Sequence, residues 1–167
     1  MQQTGSKWAI RFHYMVPVRI PSGKMKGLVA LLFKEHGRSI SAINYVFCTD
    51  KYLLGMNRKY LNHNTLTDVI TFELSDSASD LVADIYISVE RVRENASKLG
   101  VSFSAEVQRV IIHGALHLVG YKDKTIAEKS RIRGLEDKYL SLMLKLSVPR
   151  ETKEKKRFHV EHGAWVS

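Results

Sequence analysis

A chain of 167 residues, 44% of them apolar, is long enough to bury one sizeable core and too apolar to stay disordered. Its 26 basic against 17 acidic side chains leave a formal charge of +9, which favours polyanionic partners through phosphate neutralisation and counterion release. No apolar run reaches the about 18 residues that span a bilayer, the opening MQQTGSKWAIRF lacks the apolar core of a signal peptide, and a lone Cys48 excludes a cysteine-rich zinc finger. A cytoplasmic protein with no membrane partner is therefore expected, and Cys48, inside the apolar run 43–48, reads as a small core residue.

In chain order, residues 7–14 alternate as a strand, Pro17 and Pro21 punctuate a loop, and a helix follows over 24–36 with Ser22 as its cap. Residues 42–48 read as a buried strand, and Asp50 is placed to cap a helix through Tyr60. Two strands rich in β-branched and aromatic residues, 69–74 and 82–88, flank the polar turn SDSASD. Ser88 caps a helix to Leu99 that Gly100 stops. The stretch AEVQRVIIHGALHLVG is an amphipathic helix whose apolar face holds Val107, Val110, Ile111, Ala115, Leu116 and Leu118. A last helix spans 126–146 and ends before Pro149. This order gives an α+β domain over 1–147, a small mixed β-sheet covered by helices with the histidine helix near its centre. Residues 148–167 read as a basic, mobile tail rather than an RNA-binding arm.

The chemistry concentrates in HGALHLVGYKD, residues 113–123. Positions i and i+4 share a helix face, so His113 and His117 can offer two imidazole nitrogens to one ion. Gly120 suits a left-handed helix stop, which returns the chain so that Asp123 supplies a third ligand. Imidazoles on a buried face need a partner, and three protein ligands with an open fourth position is the catalytic arrangement for zinc. Gly114 stands where the HExxH peptidases carry their water-activating glutamate, so a zinc peptidase of that kind is not expected.

These residues resemble a known family. HGALHLVGYKDK is similar to HGxLHLxGYDH, the hallmark of the YbeY endoribonucleases, and matches it at His113, Gly114, Leu116, His117, Leu118, Gly120 and Tyr121. MNRKYLNHNTLTDVITF, residues 56–72, resembles the family's LNxxYRxxDxPTDVLSF, and ADIYIS around Asp84 resembles its GDIxI strand. The likeness covers about residues 8–145. It implies a metal-dependent endoribonuclease acting on single-stranded RNA, with ribosomal RNA (the 16S 3′ end) as substrate, the ribosome or its small subunit as partner, and a part in ribosome quality control. It also implies one Zn²⁺ per chain on His113, His117 and Asp123.

Two departures carry physical weight. Asp123 takes the place of the family's third histidine, and Lys122 that of the aspartate before it. A carboxylate ligates zinc, yet it cancels one of the ion's two charges, weakens its Lewis acidity and turns the site toward Mn²⁺ or Mg²⁺. Leu61 stands where the family has an arginine, removing a bidentate phosphate clamp. Arg58 or His63 is then expected on phosphate, Asp84 or Asp68 as general base, and Lys59 and Arg109 as groups that place RNA. The expected cleft lies between the histidine helix and 58–72, with Asp84 near one end. Two alternatives stay open: a noncatalytic ribosome assembly factor that the ion merely stabilises, and a metallohydrolase acting on a small molecule or peptide.

Overall fold

A computed structural model of the protein describes residues 9–147 apart from residue 78, so the basic tail of 148–167 lies outside the described residues. The elements run β1 (Ile10–Tyr14), α1 (Ser22–Glu35), β2 (Ile40–Cys48), α2 (Asp50–Leu61), β3 (Val69–Glu73), β4 (Leu81–Ser88), α3 (Val89–Leu99), α4 (Phe103–Leu118) and α5 (Ile126–Ser147). The four strands are ordered β1-β2-β4-β3. β1, β2 and β4 are parallel, and β3 closes one edge antiparallel to β4. This is the mixed sheet covered by helices that the element order implies.

Strand alternation divides the molecule into two unequal sides. In β4, Leu81, Ala83, Ile85 and Ile87 are fully buried and enter the main core with Ile43, Tyr45 and Phe47 of β2. That core fills the space between one sheet face and α1, α3, α4 and α5. The opposite face carries a smaller cluster of Cys48, Leu53 and Ile70 beneath α2, bordered by Met56, Phe72 and Tyr86. Cys48 is thus a core residue, its thiol pushed up to about 12 by burial and by the carboxylates of Asp50 and Glu90.

Local caps differ from the sequence expectation at two helices. α1 starts at Ser22, with Pro21 as N-cap and no side-chain cap bond; the Pro21 carbonyl accepts from the Met25 N–H at 3.0 Å. In α2 the cap is Thr49, whose hydroxyl accepts from the Tyr52 N–H at 3.1 Å. Asp50 instead ties α2 to α3, accepting from the Ser88 hydroxyl at 2.6 Å and from Arg91 at 2.9 Å. The Arg91 guanidinium holds its carboxyl below the usual range. Ser88 does cap α3, and Gly100 ends it in the left-handed region at φ 66°.

α4 lies close against the sheet because residue 114 has no side chain. A Cβ there would stand 3.0 Å from Cγ2 of Ile85 and 3.5 Å from Cγ2 of Val69. Three residues earlier along the helix, the buried Tyr45 hydroxyl donates to the Ile111 carbonyl at 3.0 Å, pinning the same helix to β2. Gly114→Val, which forces two methyl groups into this contact, is expected to lower unfolding free energy by about 2–3 kcal/mol. Urea denaturation reads this directly, and an unchanged midpoint would contradict the close packing.

Candidate metal centre

α4 begins under a Ser102 cap and carries both histidines on its last two turns, and the chain then reverses at Gly120, φ 103°. The Tyr121 N–H donates to the Leu116 carbonyl at 3.1 Å, and the Tyr121 hydroxyl lies 3.2 Å from Nε2 of His36, the C-cap of α1. Arg38 donates to the Leu118 carbonyl, satisfying an acceptor that the helix end leaves open. These bonds hold the reversal that carries Asp123 back to the histidine face.

The atoms that meet there are Nε2 of His113, Nε2 of His117 and Oδ2 of Asp123. The nitrogens lie 2.8 Å apart, and the carboxylate oxygen is 3.3 Å from the first and 3.5 Å from the second. A tetrahedral ion with bonds of about 2.1 Å sets its ligands about 3.4 Å apart, which the two carboxylate distances match, while the two nitrogens stand closer together than such an ion would set them. The donor chemistry agrees. Nδ1 of His117 donates to the Tyr121 carbonyl at 2.9 Å, and Nδ1 of His113 donates to Oε1 of Glu136 at 2.6 Å. With both Nδ1 protons committed, the two Nε2 atoms face each other at hydrogen-bond distance, an arrangement that a proton on one ring or a metal ion between them satisfies.

Glu136 is the group that sequence reading missed. It is buried on α5 beneath the site and accepts from His113 on one oxygen and from Arg109 at 2.9 Å on the other. Burial opposes its ionisation, but these two donors outweigh it and hold the carboxyl below its usual range. Burial likewise disfavours a charged His113, and Glu136 reverses the sign, leaving that imidazole raised. The available signal was an acid in an apolar stripe, since Ile132, Glu136, Tyr139 and Met143 all lie buried at helical spacing. Arg109, expected to place RNA, is instead engaged by Glu136 and by Asp137 at 3.1 Å.

The trio opens into a cavity of about 580 Å³ between α4 and the segment after α2. Its walls include Leu61, His63, Asp68 and Lys122 beside the three site residues. Asp68 also borders a smaller cavity of about 250 Å³ behind the site, with Glu106 and Glu136. The expected cleft is therefore present, but two residues assigned to it are elsewhere. Asp84 lies on the other sheet face, accepting from Asn44 at 2.9 Å, because its β4 neighbours Ala83 and Ile85 take the core side. Arg58 donates to Asn64 and is not part of the cavity wall, whereas His63 is. Glu136→Gln should raise the Zn²⁺ dissociation constant about 10- to 100-fold in a competition titration with a chromophoric chelator; equal affinity would show that the carboxylate does not set the His113 ring.

Comparison with known proteins places this geometry in a family. The family model described as Endoribonuclease YbeY matches residues 22–143. A protein named endoribonuclease YbeY from Flavobacterium psychrophilum is 45% identical over 135 residues, 80% of this chain and 95% of the relative. One of the same name from Cytophaga hutchinsonii is 48% identical over 109 residues, 65% of this chain and 76% of the relative. A solution structure from Thermotoga maritima shares the fold, with a TM-score of 0.52 at 23% identity over 89% of this chain and 99% of the other. With its histidine pair, its glycine-stopped helix and strands β2, β3 and β4 all inside the matched region, the chain belongs to the YbeY endoribonuclease family.

Proposed function

We propose that this protein is a metal-dependent endoribonuclease that hydrolyses phosphodiester bonds in single-stranded RNA, acting in the cytoplasm on ribosomal RNA at the 16S 3′ end and taking part in ribosome quality control. The observation that carries the metal dependence is the convergence of two imidazole lone pairs and a carboxylate at 2.8–3.5 Å on the wall of an open cavity. Family membership supports RNA as the substrate, and the charge of +9 suits a polyanion.

His113, His117 and Asp123 hold the ion, Zn²⁺ or, with an anionic ligand in the set, Mn²⁺ or Mg²⁺. When bound, the ion supplies an acidified water and positive charge opposite a phosphoryl oxygen. The protein's own groups do the rest. Glu136 and the Tyr121 carbonyl fix both rings with Nε2 toward the cavity. Asp68, the cavity carboxylate outside the trio, takes over the base role expected of Asp84, and its Oδ2 is steadied by Asn95 at 3.3 Å. His63 and Lys122 border the cavity where a scissile phosphate would sit, and Leu61 offers it no donor.

Leu61 and Asp123 also favour a second reading, a ribosome assembly factor in which the ion only stabilises the fold. Metal-stripped protein is tested on a single-stranded RNA with Zn²⁺, Mn²⁺ or Mg²⁺ restored. Cutting is expected to return with at least one ion and to vanish in His117→Ala, while Asp68→Asn keeps its metal and loses about 10²- to 10⁴-fold in rate. Tight RNA binding without cutting under every ion would select the assembly factor. Leu61→Arg, which returns a guanidinium to the cavity wall, is expected to raise the cleavage rate at least about 10-fold in the same assay.

A further inference from the structure

We propose that the half-exposed flank of α2 beside β3 and β4 is a base-stacking ridge for the single-stranded RNA that leaves the metal cavity. The proposal rests on the RNA reading above and deepens it. Tyr52, Met56 and Tyr60 stand four residues apart and form one stripe along α2. Tyr52 and Tyr60 are 41% and 55% exposed, far more than the small Cys48, Leu53 and Ile70 cluster beneath them requires.

The stripe separates two concavities. On the sheet side, about 370 Å³ is walled by Tyr52, Tyr60, Phe72, Tyr86 and Asp84. The rings touch in series: Tyr60 to Phe72 at 5.6 Å, Phe72 to Tyr86 at 5.9 Å, and Tyr86 to Tyr52 at 6.2 Å between centroids. On the other side, about 540 Å³ is bordered by Lys51, Lys59 and the same two tyrosines. Lys59 Nζ lies 5.1 Å from the Tyr60 ring centroid.

Single-stranded RNA is the occupant because its two chemistries match these two sides. Bases have π-faces that stack on exposed rings regardless of sequence, and phosphates pair with lysines that track them. An acidic peptide would also meet Lys51 and Lys59 but would leave the ring series without a flat partner. Asp84, which repels a phosphate, sits on the ring side, where it can accept from a base amino group or a 2′-hydroxyl. The ridge is continuous with the candidate active site: Tyr60 borders both concavities, and the next residue, Leu61, borders the metal cavity.

The test is equilibrium binding of a fluorescein-labelled 12-nucleotide oligouridylate and of an RNA duplex to the full chain. Wild-type protein is expected to prefer the single strand. Tyr52→Ala with Tyr60→Ala should weaken its binding about 100-fold, roughly 10-fold for each lost stacking ring, whereas Tyr52→Phe with Tyr60→Phe should bind within about 2-fold of wild type. Lys51→Glu with Lys59→Glu leaves the rings in place and should lower the magnitude of the slope of log affinity against log salt by about 1.4, which keeps the proposal testable if the alanine pair misfolds. Wild-type binding that survives both the alanine pair and the lysine pair overturns the ridge while leaving the RNA reading intact, and would assign this face to a protein partner. Absence of single-strand binding and cleavage in the wild type itself overturns the RNA reading and the ridge together.

Discussion

Helix α4 approaches β4 at a separation that a side chain at residue 114 would obstruct, and the placement of the site follows from that approach. With Gly114 against Ile85, the neighbouring His113 is carried to the helix flank that faces α5, and His117 one turn later faces the returning loop. The Tyr45 hydroxyl and the Arg38 guanidinium bond carbonyls of the same helix, so its position is fixed from β2 and from the loop after α1. A packed interior resists small displacements, so a helix held in this way fixes where its side chains project. The glycine that replaces a peptidase's glutamate thus has a packing reason of its own.

Electrostatics then separate this chain from a three-histidine site. An ion held by the trio would meet a formal negative charge on Asp123 in place of a neutral third imidazole, and Leu61 sets no positive charge on the cavity wall. Beneath them, Glu136 adds a second carboxylate, partly offset by Arg109. The site is therefore more anionic than its motif alone suggests, a condition that favours tight cation binding and disfavours approach of a phosphate. Lys122 and His63 on the cavity wall work in the other direction.

The two faces of the sheet divide the labour. One is consumed by the main core and by helices that include α4, which carries the two candidate histidine ligands, and the other is only partly covered by α2. Because β4 alternates strictly, Asp84 and Tyr86 belong to the second face even though Ile85 between them supports the first. A residue can therefore be adjacent in sequence to the groups that seat the site and still lie on the far side of a sheet from it.

Much of this was legible in the chain. Apolar periodicity located each element to within a few residues, and the i, i+4 histidines with the glycine stop brought out His113, His117 and Asp123, which the structure gathers within 4.8 Å of one another. Local rules failed where two adjacent residues competed for one role, as with Thr49 and Asp50 at the start of α2, because cap geometry depends on which side-chain oxygen the backbone turns toward the free N–H groups. Motif membership also misled: Asp84 lies in a family-like strand and Arg58 near a missing arginine, but neither borders the metal cavity. What the sequence determined by itself was the order of elements and the trio of candidate ligands, which are set by period and spacing along the chain, and a resemblance to the family, which rests on its motifs. Only the tertiary structure decided that Glu136 orients His113, that Arg109 serves Glu136 and that Asp84 faces away, because strand pairing and helix packing bring together residues 23 to 28 positions apart, or part close ones, by rules that no local spacing encodes.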